Sequence, residues 1–127
     1  MDWHIYLSKA SHNLRTAQLA YDHDDFDSCV SRAYFAVFQI EIASLLKFTS
    51  FRQVRWGHDR VQAEFNRRLI RDQKVFSASL RFIHNDLIGR RHTADYSAQH
   101  VSARAAERCL RKATEMVSSI AEVLEQS

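Results

Sequence analysis

An all-α, antiparallel bundle of four long helices plus a shorter one is the fold class this sequence predicts. Three observations carry the prediction. Proline is absent and glycine occurs only at positions 57 and 89, whereas a β-rich chain of this length would need many turns built on those residues. Ala, Leu, Arg, Gln and Glu are frequent, and all are good helix formers. Apolar residues recur at helical rather than alternating spacing through most of the chain. A length of 127 residues suits one domain, 1–127, with a core that needs neither disulfide nor metal.

The first helix is predicted over 2–21, where Trp3, Tyr6, Leu7, Ala10, Leu14 and Ala17 form one amphipathic face. His23-Asp24-Asp25 is a polar connection, and Asp24 or Asp25 can cap the next helix by accepting from its free N–H groups. The second helix, 26–47, is the most apolar and covers more than one face, which predicts a central position. Arg32 lies inside that run, so it requires a carboxylate partner or a cleft. Residues 48–57 break the pattern, with Phe51 and Trp56 tucking back onto the core. A third helix is predicted over 58–70 and a fourth over 73–90, weakened at its end by Gly89. Residues 92–101 lack a period and read as a loop. Ser102 caps the last helix, 103–125. No repeat, low-complexity segment or domain boundary interrupts the chain.

Charge is uneven. Residues 1–51 carry 4 basic and 6 acidic side chains, whereas residues 52–91 carry 10 basic and 4 acidic, a local excess of 10 − 4 = +6. Such an excess attracts phosphate or an acidic protein surface. Arg67, Arg68, Arg71 and Lys74 lie close together between the third and fourth helices, and Arg52, Arg55 and Arg60 extend the patch. Cys29 and Cys109 fall in apolar helical patterns and read as buried free thiols. No apolar run is read as a membrane span and no signal-peptide pattern is present, so the expectation is a reduced, cytoplasmic protein. No glycine-rich phosphate loop, nucleophile elbow or dinucleotide fingerprint occurs. His23-Asp24-Asp25 and His4 do not make a convergent ligand set, so no metal and no cofactor is expected.

Three stretches carry a family resemblance. The first is Asp27-Ser28-Cys29-Val30-Ser31-Arg32-Ala33-Tyr34-Phe35-Ala36-Val37-Phe38, with its Arg-Ala-Tyr-Phe-Ala core. The second is Gly57-His58-Asp59-Arg60, a histidine opening the third helix. The third is Arg91-His92-Thr93-Ala94-Asp95-Tyr96, an Arg-x-x-Ala-Asp-Tyr motif. In order and spacing they resemble the HEPN superfamily of small helical bundles, in its branch of small prokaryotic proteins. Ala106 and Ala113 stand where that branch places small packing residues. Gln39 stands where it commonly has His. Arg32, Tyr34, His58, Asp95 and Tyr96 are the motif residues with structural roles.

The resemblance implies a homodimer with a cleft between its copies. It also implies a nucleotidyltransferase partner, as in toxin–antitoxin pairs, or RNA. Many HEPN proteins are metal-independent ribonucleases with an Arg-x4–6-His motif. Here Arg91 is followed by His92 at once and by His100 too late. Arg52 and His58 fit the spacing but straddle the predicted connection, and are read as a coincidence. Two functional readings follow. The first is an interaction module binding the nucleotidyltransferase or nucleic acid through Arg32, Arg67, Arg68, Arg71, Lys74, Arg90 and Arg91. The second is a toxin-type endoribonuclease with a diverged site around Arg91 and His92. The missing spaced histidine favours the first. The blander expectations are that Arg91 pairs with Asp95 while Tyr96 packs its ring on the bundle, that Arg32 and Asp95 contact each other or share a bridging group, that Tyr34 is a core aromatic with its hydroxyl at the rim, and that His84 lies on the surface.

Overall fold

The computed structural model describes residues 2–126. Its elements are α1 (Trp3–Asp22), α2 (Phe26–Phe48), α3 (His58–Glu64) running directly into a π-helical segment (Phe65–Asp72), a single 3-10 turn (Ala78–Leu80), α4 (Ile83–Tyr96) and α5 (Ala103–Gln126). No strand occurs among the described residues. The all-α bundle is therefore as the composition predicts.

Local chemistry fixes the ends of the long helices. The Asp2 carboxylate accepts from the His4 N–H to open α1. Asp25 accepts from the Ser28 N–H at 3.2 Å to open α2, and Asp24 takes the left-handed turn before it with φ 60. Arg52 closes α2, donating to the carbonyls of Leu46, Thr49 and Phe51, so its side chain satisfies helix-end acceptors. Ser102 opens α5 through its hydroxyl and the Ala105 N–H.

α2 is the central element, packed by α1, α5 and α4. Fifteen of its residues are buried, among them Tyr34, Ile40, Glu41 and Leu45. It is also long and apolar enough by composition to cross a membrane, with mean hydropathy 1.3, contrary to the sequence reading; the bundle buries 83% of that window. Ala106 and Ala113 are fully buried on α5. The Cys29 thiol points at the Ala106 carbonyl, and Cys29 and Cys109 are both buried and free.

The middle of the chain departs from its prediction. The helix expected over 73–90 begins only at Ile83. Lys74 turns the chain with φ 51, and the N–H groups of Val75 and Phe76 both donate to the Leu69 carbonyl. Phe76 thus reaches the core, stacked on Phe65 at 5.7 Å, from a reversal instead of a helix. At the other end α4 runs on through Tyr96, where a loop was expected.

Candidate functional site

Tyr34 and Glu41 stand two turns apart on α2, so both project toward the same side. α4 brings His84 between them. Its Nδ1 lies 2.5 Å from Glu41 Oε1 and its Nε2 lies 3.3 Å from the Tyr34 hydroxyl. The same hydroxyl is hydrogen-bonded to Nδ1 of His58, the first residue of α3. Glu41 and His84 are each 1% exposed and Tyr34 is fully buried. His58 is half-buried, so it is the end of the chain that meets solvent.

Burial sets the electrostatics. It holds the Glu41 carboxyl above its ordinary value, against the pull of His84. It also raises the Tyr34 phenol, helped by the nearby Glu41 charge. His58 is held below its ordinary value, first by burial and then by the charge of Arg91. A neutral imidazole is therefore favoured, as a base requires.

The four groups can be polarised in two directions. With Glu41 ionised, His84 donates to it, Tyr34 donates to His84, and His58 donates to Tyr34, leaving His58 Nε2 as a free lone pair. A proton taken up at that Nε2 reverses every bond. His58 then accepts from Tyr34, Tyr34 from His84, and His84 from a protonated Glu41. A proton collected at the surface is thereby held at the buried carboxyl.

Arg91 completes the corner. Its guanidinium lies over the Phe35 ring at 4.9 Å and over the Tyr34 ring at 5.4 Å. Its Nε donates to Asp95 at 3.1 Å, and Asp95 also accepts from the Ser31 hydroxyl. This i,i+4 pair is what carries α4 past residue 91.

A family model of the HEPN domain matches residues 3–124. The chain belongs to the HEPN domain family. A comparison with curated proteins finds no match.

Several expected HEPN site residues sit elsewhere than the sequence suggested. Arg32 does not pair with Asp95; it donates to Asn13 at 3.3 Å and lies over the Phe35 ring. Arg32 and Asp95 nevertheless line one shallow cavity, with Phe35 flanked by Arg32 and Arg91. His92 is exposed and faces Tyr96, which is 72% exposed and does not anchor the loop in the core. Arg67 and Arg68 both donate to Glu64, and Arg71 to Asp72, so the basic patch is partly compensated. Arg90 lines a separate cavity between α4 and α5 with Arg108 and Lys112. His23, Asp24 and Asp25 line a further cavity with His100, whose Nδ1 lies 2.6 Å from Asp27.

Two groups of this HEPN site escaped the sequence reading. His84, read as a surface residue beside Asn85 and Asp86, is buried. Glu41, one of the few charges of the second helix, is a lone carboxylate inside the otherwise apolar Ile40-Glu41-Ile42-Ala43. An isolated charge there was the available signal, because burial demands a partner.

Proposed function

We propose that this HEPN protein acts on RNA through the corner formed by His58 and Arg91, as a metal-independent ribonuclease. One observation carries the reading. The imidazole of His58 and the guanidinium of Arg91 converge on the Tyr34 ring, at 5.3 and 5.4 Å from its centroid. The histidine that Arg91 lacks along the chain is thus supplied in space by α3. His58 takes the proton of the attacking 2′-hydroxyl through Nε2, and the relay passes its charge toward Glu41. Arg91 offsets the negative charge that builds on the phosphate.

A second reading is supported by the burial of Arg91. Its side chain is 15% exposed and paired with Asp95, an arrangement that also serves to hold α4 on α2. On that reading the chain is an interaction module for nucleic acid or a nucleotidyltransferase partner, in a cytoplasmic toxin–antitoxin pair. Both readings include a homodimer, which a mass measurement in solution tests.

The decisive experiment is cleavage of single-stranded RNA by the purified protein in the presence of a chelator. His58→Ala and Arg91→Ala should each slow it by about a hundredfold or more. No cleavage by the unmodified protein, or cleavage that survives both changes, leaves the interaction module standing instead.

A further inference from the structure

Away from the His58–Arg91 corner, the π-helical segment and the 3-10 turn enclose a groove of about 470 Å³. Ala63, Ile70 and Ala78 give it an apolar part, with Asn66 beside them. Its rim carries four cations, Arg67, Arg71, Lys74 and Arg81. The compensation is partial. Arg67 is shared between Glu64 at 2.7 Å and Asp72 at 3.8 Å, and Arg71 bonds to Asp72. Lys74 and Arg81 form no ion pair among the described residues.

An aromatic platform adjoins this rim. Phe82 is 63% exposed, and the Arg81 guanidinium lies 5.6 Å from its ring centroid. The Asn66 side chain donates to the Arg81 carbonyl at 3.2 Å, pinning the turn to the π-helical segment. The backbone around the groove is unusual twice over. π-Helical geometry is rare and concentrates at functional sites, and Lys74 occupies the left-handed region at φ 51 without being glycine.

We propose that this groove binds single-stranded nucleic acid, with phosphates along Arg67, Arg71, Lys74 and Arg81 and an unstacked base on Phe82. Charge selects a polyanion. The exposed aromatic beside the cations selects one with free base faces, since bases in a duplex are already stacked. The choice of polymer rests on the RNA reading above, but the groove shares no residue with the cleavage corner. The two ideas can therefore fail separately.

The test is fluorescence anisotropy of a fluorescein-labelled oligouridine with the whole protein, beside an oligothymidine of equal length, a duplex and heparin. Phe82→Ala should weaken oligouridine binding about tenfold. The Lys74→Ala, Arg81→Ala double variant should weaken it further and flatten the salt dependence by about 1.4 in log–log slope. In a His58→Ala background, where the oligouridine is not cleaved, the loss caused by Phe82→Ala should be the same. Equal binding of oligothymidine supports a site that reads backbone and stacking; a preference for oligouridine supports it with recognition of the 2′-hydroxyl added. Binding that ignores Phe82→Ala, or a duplex or heparin bound as tightly as the single strand, overturns the proposal and points to an acidic protein partner. Lys74, Arg81 and Phe82 are exposed, and an unchanged melting temperature confirms that each variant is folded.

Discussion

Glu41 and Glu64 are both carboxylates paired with basic side chains, yet their partners sit in opposite situations. Glu41 meets one partner, His84, and the two side chains are 1% and 2% exposed. Glu64 meets three, Arg60, Arg67 and Arg68, whose side chains are 63%, 43% and 29% exposed. The number of partners is a poor guide to their weight. What matters is where a partner goes when its carboxylate is removed. The arginines around Glu64 can turn to water. His84 cannot, because Tyr34, Phe38 and the core of α2 surround it. The Glu41–His84 pair therefore fixes how α4 sits on α2, while the cluster around Glu64, itself only 10% exposed but met by solvated arginines, tunes charge.

The largest expected effect breaks the buried side of this comparison. Glu41→Ala should destabilise the fold by roughly 2–5 kcal/mol, because it leaves a cavity and an unpaired His84 N–H in the core. Urea denaturation measures it. A loss no larger than that of Glu64→Ala would show that His84 finds another partner. Tyr34→Phe comes next. It removes the hydroxyl that joins two histidines and should cost roughly 1–3 kcal/mol. It should also cut the relay, lowering any RNA cleavage while leaving oligouridine binding alone.

How far the sequence reveals these two regions follows from their physics. α1, α2 and α5 are legible to within a residue at each end, because one-sided apolar periodicity and Asp or Ser caps act locally. The stretch from His58 to Tyr96 is less so. Val75, Phe76 and Leu80 have spacing compatible with a helix, but the reversal at Lys74 delivers them to the core by tertiary contact. α4 continues to Tyr96 through the Arg91–Asp95 pair, whose spacing was visible without its structural consequence. The candidate site was half legible. Tyr34, His58 and Arg91 stand in motifs, but their meeting point depends on Glu41 and His84, whose distance along the chain hides the pairing. The basic groove was visible as composition; its aromatic edge at Phe82 was not.

The pH dependence of stability sharpens the same contrast from the half-exposed end of the relay. His58 is held below its ordinary value of 6.5 by burial and by Arg91. On lowering the pH through 6.5, the unfolded chain takes up this proton before the folded one does. Unfolding is then accompanied by proton uptake, so this contribution makes stability rise with pH. It is complete above 6.5 and is lost as pH falls through the folded value. Glu41, raised by burial, has the opposite sign. Its contribution is present below 4.5 and declines as pH rises through its folded value. The His58 part is isolated by difference: between about pH 8 and about pH 5, urea midpoints of the unmodified protein should fall more toward acid than those of His58→Asn. An equal fall in the variant would remove His58 as its source.

The smallest effect on stability belongs to Glu64, and it carries the most information about the groove. Glu64→Gln should cost about 1 kcal/mol or less, because its arginine partners are already partly solvated. The same change frees Arg67 on the groove rim and Arg68 beside Phe51. Oligouridine affinity should therefore increase a few-fold, with a salt dependence steeper by about 0.7 if one further phosphate is engaged. A carboxylate that weakens the fold slightly when removed, yet strengthens binding, is acting as a brake on the patch. Glu41 has no such second use, since nothing it releases can reach a ligand. If Glu64→Gln left both affinity and salt slope unchanged, Arg67 would not contact the polymer, and the phosphate path would have to run along Lys74 and Arg81 alone.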